Sequence, residues 1–113
     1  MLKIEAVIQP FKLDEVKAAL DNLGIEEVMI SAVLDHGGRM AQDLYYRGAS
    51  YRADVTRIKL EMLVSSDGAD DVIEALSRAA RTREPGEDGT ILVYEVADAI
   101  RIRSGERIQF AIR

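Results

Sequence analysis

The stretch Arg57-Ile58-Lys59-Leu60-Glu61-Met62-Leu63-Val64 alternates with a period of two. Ile58, Leu60, Met62 and Val64 fall on one face of an extended chain, and Arg57, Lys59 and Glu61 on the other. That is the pattern of a strand with one side against a core. Toward the C-terminus, Asp67 stands where a helix cap is wanted, and Val72, Ile73, Leu76 and Ala80 recur at helical spacing. The spacing predicts a helix over residues 67–82. A turn-rich loop over 83–89 then leads to a strand over 90–96. Toward the N-terminus, residues 28–34 are rich in β-branched and apolar types and predict another strand. Before them, residues 13–23 place Val16, Leu20 and Leu23 along one side of a helix. Asp14 and Glu15 suit the positive end of its dipole, and Gly24 is free to take the left-handed stop. Residues 2–8 alternate as a first strand, which Pro10 ends because it has no amide hydrogen for the ladder.

The order is βαββαβ, the ferredoxin-like arrangement of the α+β class, in a single domain spanning residues 1–113. Residues 35–54 lack a sustained period and predict a long loop between the second and third strands. A loop of about twenty residues is uncommon in so small a domain and is usually functional. The tail over 107–112 alternates again and predicts an additional strand that closes a subunit edge.

Composition bounds the function. At 113 residues the chain has room for one hydrophobic core, and 48% apolar with 31% charged residues reads as globular. A formal charge of −5 argues against a general nucleic-acid binder. No apolar run approaches the roughly 20 residues of a membrane span, so direct membrane insertion is not expected. The start Met1-Leu2-Lys3-Ile4-Glu5 lacks a signal-peptide pattern, and zero cysteines exclude disulfides and fit a cytoplasmic location. His36 is the sole histidine, with no thiolate to join it, so one subunit offers no transition-metal set; a trimer would bring three copies together. No nucleophile is accompanied by a recognisable base, and the chain is not expected to be an enzyme.

Two features could carry binding. Arg101 and Arg103 stand two apart on a segment read as extended, so both guanidinium groups would project from one face as a phosphate or carboxylate clamp. On spacing alone, a solvated face paired with surface acids is the favoured reading. The loop Thr82-Arg83-Glu84-Pro85-Gly86-Glu87-Asp88-Gly89-Thr90 has the glycines that let backbone amides approach an anion.

Three phrases then stand in register: Gln9-Pro10-Phe11-Lys12-Leu13-Asp14-Glu15-Val16, Tyr45-Tyr46-Arg47-Gly48-Ala49-Ser50-Tyr51 and Ile100-Arg101-Ile102-Arg103-Ser104-Gly105-Glu106. Over residues 1 to 106 they resemble the PII nitrogen-regulatory family of small trimeric signalling proteins. The resemblance implies a homotrimer with a nucleotide cleft between subunits. It makes residues 35–54 a T-loop that meets a protein target: a metabolic enzyme, a gene regulator or a membrane transporter to which the protein would be recruited. Tyr45, Tyr46 and Arg47 are the implied partner contacts. Tyr51 matches the tyrosine that some members carry as a uridylylation site, although an ordinary contact is the favoured reading.

The resemblance implies a nucleotide- or anion-binding set of Gly37, Arg39, Arg57, Gly86, Asp88, Gly89, Arg101 and Arg103, the last two reaching the phosphates. ATP, ADP and AMP are the implied ligands. The chain departs from the family pattern at three places. Thr90 replaces the lysine after the last glycine of the 82–90 loop, and Arg83 or Glu84 replaces its first glycine. In Asp35-His36-Gly37-Gly38-Arg39-Met40-Ala41, Arg39 falls on the glutamine that helps hold Mg²⁺ and 2-oxoglutarate, unless Gln42 takes its place. A guanidinium cannot ligate Mg²⁺, so neither Mg²⁺ nor 2-oxoglutarate is expected to bind. The expected function is a PII-type sensor of adenine nucleotide or a related anion. The alternative is a divergent adaptor that does not sense 2-oxoglutarate and regulates a transporter or other metabolism.

Overall fold

The structure is a computed structural model that describes residues 1–36 and 54–109 in full and 43–46 and 49–52 as backbone. Strand β1 (Leu2–Ile8) is central. It is followed by a short 3₁₀ turn at Pro10–Lys12, helix α1 (Leu13–Asn22) and strand β2 (Met29–Asp35). Two short strands, β3 (Asp43–Tyr46) and β4 (Ala49–Arg52), precede the long strand β5 (Val55–Val64). Helix α2 (Ala69–Ala80) and strand β6 (Gly89–Glu95) complete the unit. The main sheet has the order β2-β5-β1-β6, with every pairing antiparallel. This is the expected ferredoxin-like topology.

The alternation read from the sequence sets the layers. Ile4, Ala6 and Ile8 of β1 and Leu60, Met62 and Val64 of β5 all point to one face and are buried. Helices α1 and α2 cover that face with Val16, Leu20, Val72, Leu76 and Ala80. Helix α1 stops as Gly24 takes φ +76°. The Gly24 amide then donates to Asp21 O at 3.0 Å and the Ile25 amide to Leu20 O at 3.1 Å, the paired bonds of a Schellman end.

The opposite face carries a polar network among apolar neighbours that include Val7, Leu63, Leu92 and Met29. Lys3 Nζ lies 2.7 Å from Glu61 Oε2, Lys59 Nζ lies 3.3 Å from Glu5 Oε1, and Tyr94 Oη donates to Glu5 Oε2 at 3.0 Å. Lys3 also sits over the Tyr94 ring, 5.7 Å from its centre. The bond to Glu61 is the main cause that raises the Lys3 amine, and its counterpart lowers the Glu61 carboxyl.

Three local expectations are corrected. Asp67 does not cap α2: Gly68 occupies that position, with no side-chain cap, and its amide donates to Ser65 Oγ at 3.1 Å. Asp67 lies instead inside the turn that the Gly68 amide closes on Ser65, one residue before the cap. The helix also stops at Ala80, short of residue 82, because Arg81 is extended and the Thr82 amide donates to Asp88 instead. Within 35–54 the chain is not all loop, since β3 and β4 pair antiparallel from Asp43 with Arg52 to Tyr46 with Ala49.

The strand predicted over residues 107–112 is described only as far as residue 109. Among the described residues the tail adds no strand to the sheet but makes a single bridge, Ile100 with Arg107. Gly105, at φ +71°, turns the chain, with its amide donating to Arg101 O at 2.9 Å. Residues 110–113 lie outside the described residues.

Candidate functional site

Among the described residues, the predicted binding residues fall at two opposite ends of the sheet. At one end, Ile8 pairs with both Gly89 and Ile58. The register therefore brings the 82–90 loop and Arg57 to the same edge. Gly89 has φ +114°, and a Cβ there would lie 1.9 Å from the Val7 carbonyl oxygen, so only glycine fits. Gly86 also has positive φ, at +87°.

The 82–90 loop that carries these glycines is tied internally. Asp88 Oδ1 accepts the Thr82 amide, Thr82 Oγ1 donates to Glu84 O at 3.1 Å, and the Glu87 amide donates to Glu84 O at 3.1 Å. Buried Gln9, just past β1, donates from Nε2 to Glu87 O at 3.0 Å and anchors the loop to the sheet. The hydrogen bond from Thr82 holds the Asp88 carboxyl below its ordinary range. Asp88 thus shapes the loop. Beside it lies a pocket of about 350 Å³, whose lining includes Ile8, Arg81, Asp88, Gly89 and Thr90. Arg81 is a cation that sequence reasoning passed over, because it sits inside a pattern read as helix.

Arg57 lies nearby on β5, opposite Val33, and is 5% exposed. Its Nε is 3.7 Å from Asp35 Oδ2, too long for a hydrogen bond. Nε and Nη1 have no acceptor among the described residues. Beyond Asp35, His36 Nδ1 lies 2.5 Å from Asp54 Oδ1, which joins the exit of β2 to the approach to β5. No metal-binding cluster of His, Asp and Glu occurs among the described residues.

The other end holds Arg101. There Leu2 pairs with Glu95 and Val64, and the Val96 amide donates to Met1 O at 3.1 Å. A pocket of about 660 Å³ opens between the tail and the sheet, lined by Glu27, Met29, Leu63, Val64, Arg101 and Ile108 among others. Sequence reasoning missed this pocket entirely, because its wall joins strand ends far apart in the chain. The expectation that Arg101 and Arg103 share one face of an extended strand is corrected: residues 102–104 form the turn, and Arg101 alone of the two lines the pocket.

The seven residues of β1 separate the two ends by roughly 20 Å. One chain therefore cannot bring Arg101 to the 82–90 loop. Gly37, Arg39 and Arg47 lie outside the described residues. Tyr45 and Tyr46 fall on β3 and Tyr51 on β4.

The sequence profile of the family described as nitrogen regulatory protein P-II matches residues 1–106. A nitrogen regulatory protein P-II of Haemophilus influenzae is 44% identical over 113 residues, covering 99% of this chain and all of the relative. One from Rhodospirillum rubrum is 43% identical over 108 residues, covering 95% and 96% respectively. Among solved structures, Arabidopsis thaliana PII bound to citrate is similar with a TM-score of 0.75 and 33% identity, covering 96% of this chain and 85% of that one. With sequence matched nearly end to end and the fold shared, this chain belongs to the nitrogen regulatory protein P-II family, whose role is regulatory.

Proposed function

We propose that this chain is a non-catalytic signalling protein of nitrogen metabolism. It senses an adenine nucleotide or related small anion in a cleft between copies of a homotrimer, and it signals to a protein target through residues 35–54. The observation that carries this reading is the separation of the two half-sites on opposite ends of one sheet. A loop with glycines at Gly86 and Gly89 and a buried cation at Arg57 stand at one end, and the pocket lined by Arg101 stands at the other. Only a second copy can bring the halves together, with Arg101 and Arg103 of one copy facing the 82–90 loop of its neighbour. No helix among the described residues is long and apolar enough to cross a membrane. The protein works in the cytoplasm, where its target is an enzyme, a regulator or a transporter to which it is recruited.

A second reading concerns the ligand. Thr90, uncharged, lines the loop pocket where the family pattern has lysine, and Arg39 stands where that pattern has a metal-holding glutamine. These residues favour a metal-free nucleotide or another anion over Mg-ATP with 2-oxoglutarate. The citrate bound to the Arabidopsis relative is an anion of the appropriate small, multiply charged kind. Calorimetry with ATP, ADP and AMP, each with and without Mg²⁺ and 2-oxoglutarate, tests both readings. ADP or AMP binding that weakens in Arg101→Ala and Arg103→Ala supports the nucleotide cleft; affinity unchanged by either substitution overturns it.

A further inference from the structure

We infer that Gln9 is a positioning residue for the 82–90 loop, an inference that rests on the proposed anion-sensing role of that loop. Its side-chain amide holds the Glu87–Asp88 peptide with the carbonyl turned inward, and the loop's affinity for an anion depends on that orientation. Gln9 and Arg57 are the two buried polar side chains among the described residues, and Gln9 is 5% exposed. It stands one position beyond Ile8, which pairs with Gly89 on one side and Ile58 on the other. From that place Nε2 donates to Glu87 O at 3.0 Å, across 78 positions of sequence. The Gln9 backbone is fixed in turn, because its carbonyl accepts the Lys12 amide at 3.0 Å in the 3₁₀ turn. A buried amide is costly unless it is bonded, so this contact constrains the glutamine and the loop together.

A peptide unit is planar and trans, so its carbonyl and its N–H leave from opposite edges. With the Glu87 oxygen drawn toward the end of β1, the Asp88 amide leaves from the other edge. Gly86 and Gly89 flank this peptide, both with positive φ and both exposed, so the outer side of the loop is open. The Asp88 carboxylate accepts the Thr82 amide, and the Glu87 amide donates to Glu84 O at 3.1 Å. Neither of those bonds engages the Glu87 carbonyl; Gln9 does. Without a donor at residue 9, a half-buried carbonyl loses its partner and turns toward water. That rotation brings a partly negative oxygen to the side where an amide had faced. An anion nest is made of amides, so an oxygen there repels the incoming phosphate or carboxylate.

The test compares wild type, Gln9→Met and Gln9→Glu by calorimetry, using ADP and inorganic phosphate as separate probes without Mg²⁺. Methionine keeps the length of the side chain and removes the donor, so Gln9→Met should weaken binding by about tenfold. In the ligand-free protein the amide resonances of Gly86 and Gly89 should shift in that variant, while those of Ile4 and Leu60 stay. Weaker binding with unmoved glycine resonances overturns the inference. Glutamate supplies a donor only while its carboxyl is protonated, and burial raises a carboxyl above its ordinary range. The affinity of Gln9→Glu should therefore approach that of wild type at pH 5.5 and fall about tenfold below it by pH 8. A ratio that does not change with pH overturns the inference. If Gln9→Met fails to fold, Gln9→Leu replaces it beside the same pH profile. ADP bound equally by wild type and Gln9→Met sinks this inference and leaves the nucleotide reading standing. Phosphate bound by wild type and weakened in Gln9→Met, with no ADP binding, does the reverse. Binding of neither probe overturns both.

Discussion

At Gly89 the backbone takes φ +114°, and the Val7 carbonyl oxygen lies 1.9 Å from where a Cβ would be. The contact is with backbone, which cannot swing aside as a flexible side chain would. Gly89→Ala should therefore cost at least about 1–3 kcal/mol from strain alone, and a lowered urea midpoint would show it. Asp88 has a different kind of importance. Its carboxyl is held below the ordinary value of 3.8, chiefly by the Thr82 amide. A lowered carboxylate contributes stability that is whole above the unfolded value and is lost as pH falls through the folded one. Asp88→Asn can still accept the Thr82 amide but cannot titrate. Urea midpoints measured from pH 5 down to pH 3 should fall less steeply in that variant than in wild type. Identical slopes would show that Asp88 contributes nothing to acid sensitivity.

Among the elements, α2 is fixed by its buried stripe more than by its caps. Leu76 is fully buried between the helix and the sheet, and Leu76→Ala should cost about 2–5 kcal/mol by chemical denaturation. The β3–β4 pair is held differently. It forms a two-stranded sheet of its own, apart from the four-stranded one. A hairpin of two strands is marginal in water without a packed face. The amides of Tyr45 and Ser50 should therefore exchange well before those of Ile4 and Leu60 in hydrogen-exchange measurements. Equal protection would mean that a partner or the rest of the fold covers the hairpin. The pairing was hard to read because Tyr45, Tyr46 and Tyr51 sit among glycines with no alternating apolar face. In contrast, β1 and β5 were legible because one side of each is apolar and the other charged.

For the whole molecule, the two half-sites predict that binding depends on assembly. Light scattering should give a trimer at micromolar concentration; a monomer there would leave Arg101 without an 82–90 loop to face. The same assembly should not bind 2-oxoglutarate tightly with Mg-ATP. If the lost glutamine and lysine contacts each contribute roughly 1.5–3 kcal/mol, their absence weakens binding by about two to four powers of ten. Tight, Mg²⁺-dependent binding in calorimetry would mean that another oxygen ligand, such as Gln42, has taken the glutamine's place.

The sequence by itself determined the order of the main sheet's strands and the two helices, the core faces of β1, β5 and both helices, and the family. Alternation and helical spacing are local, and the family phrases are short runs of adjacent residues. Tertiary structure alone decided where the candidate binding residues lie relative to one another. Antiparallel register set Gly89 and Ile58 on either side of Ile8, and so placed Arg57 with the 82–90 loop. The turn at Gly105 took Arg101 and Arg103 off a common strand face. The length of β1 put Arg101 at the far end of the sheet. The burial of Arg57 near Asp35 depends on how β2 and β5 pair across a gap of about twenty residues. No local period encodes a contact of that kind, because it arises only when distant strands are brought into register.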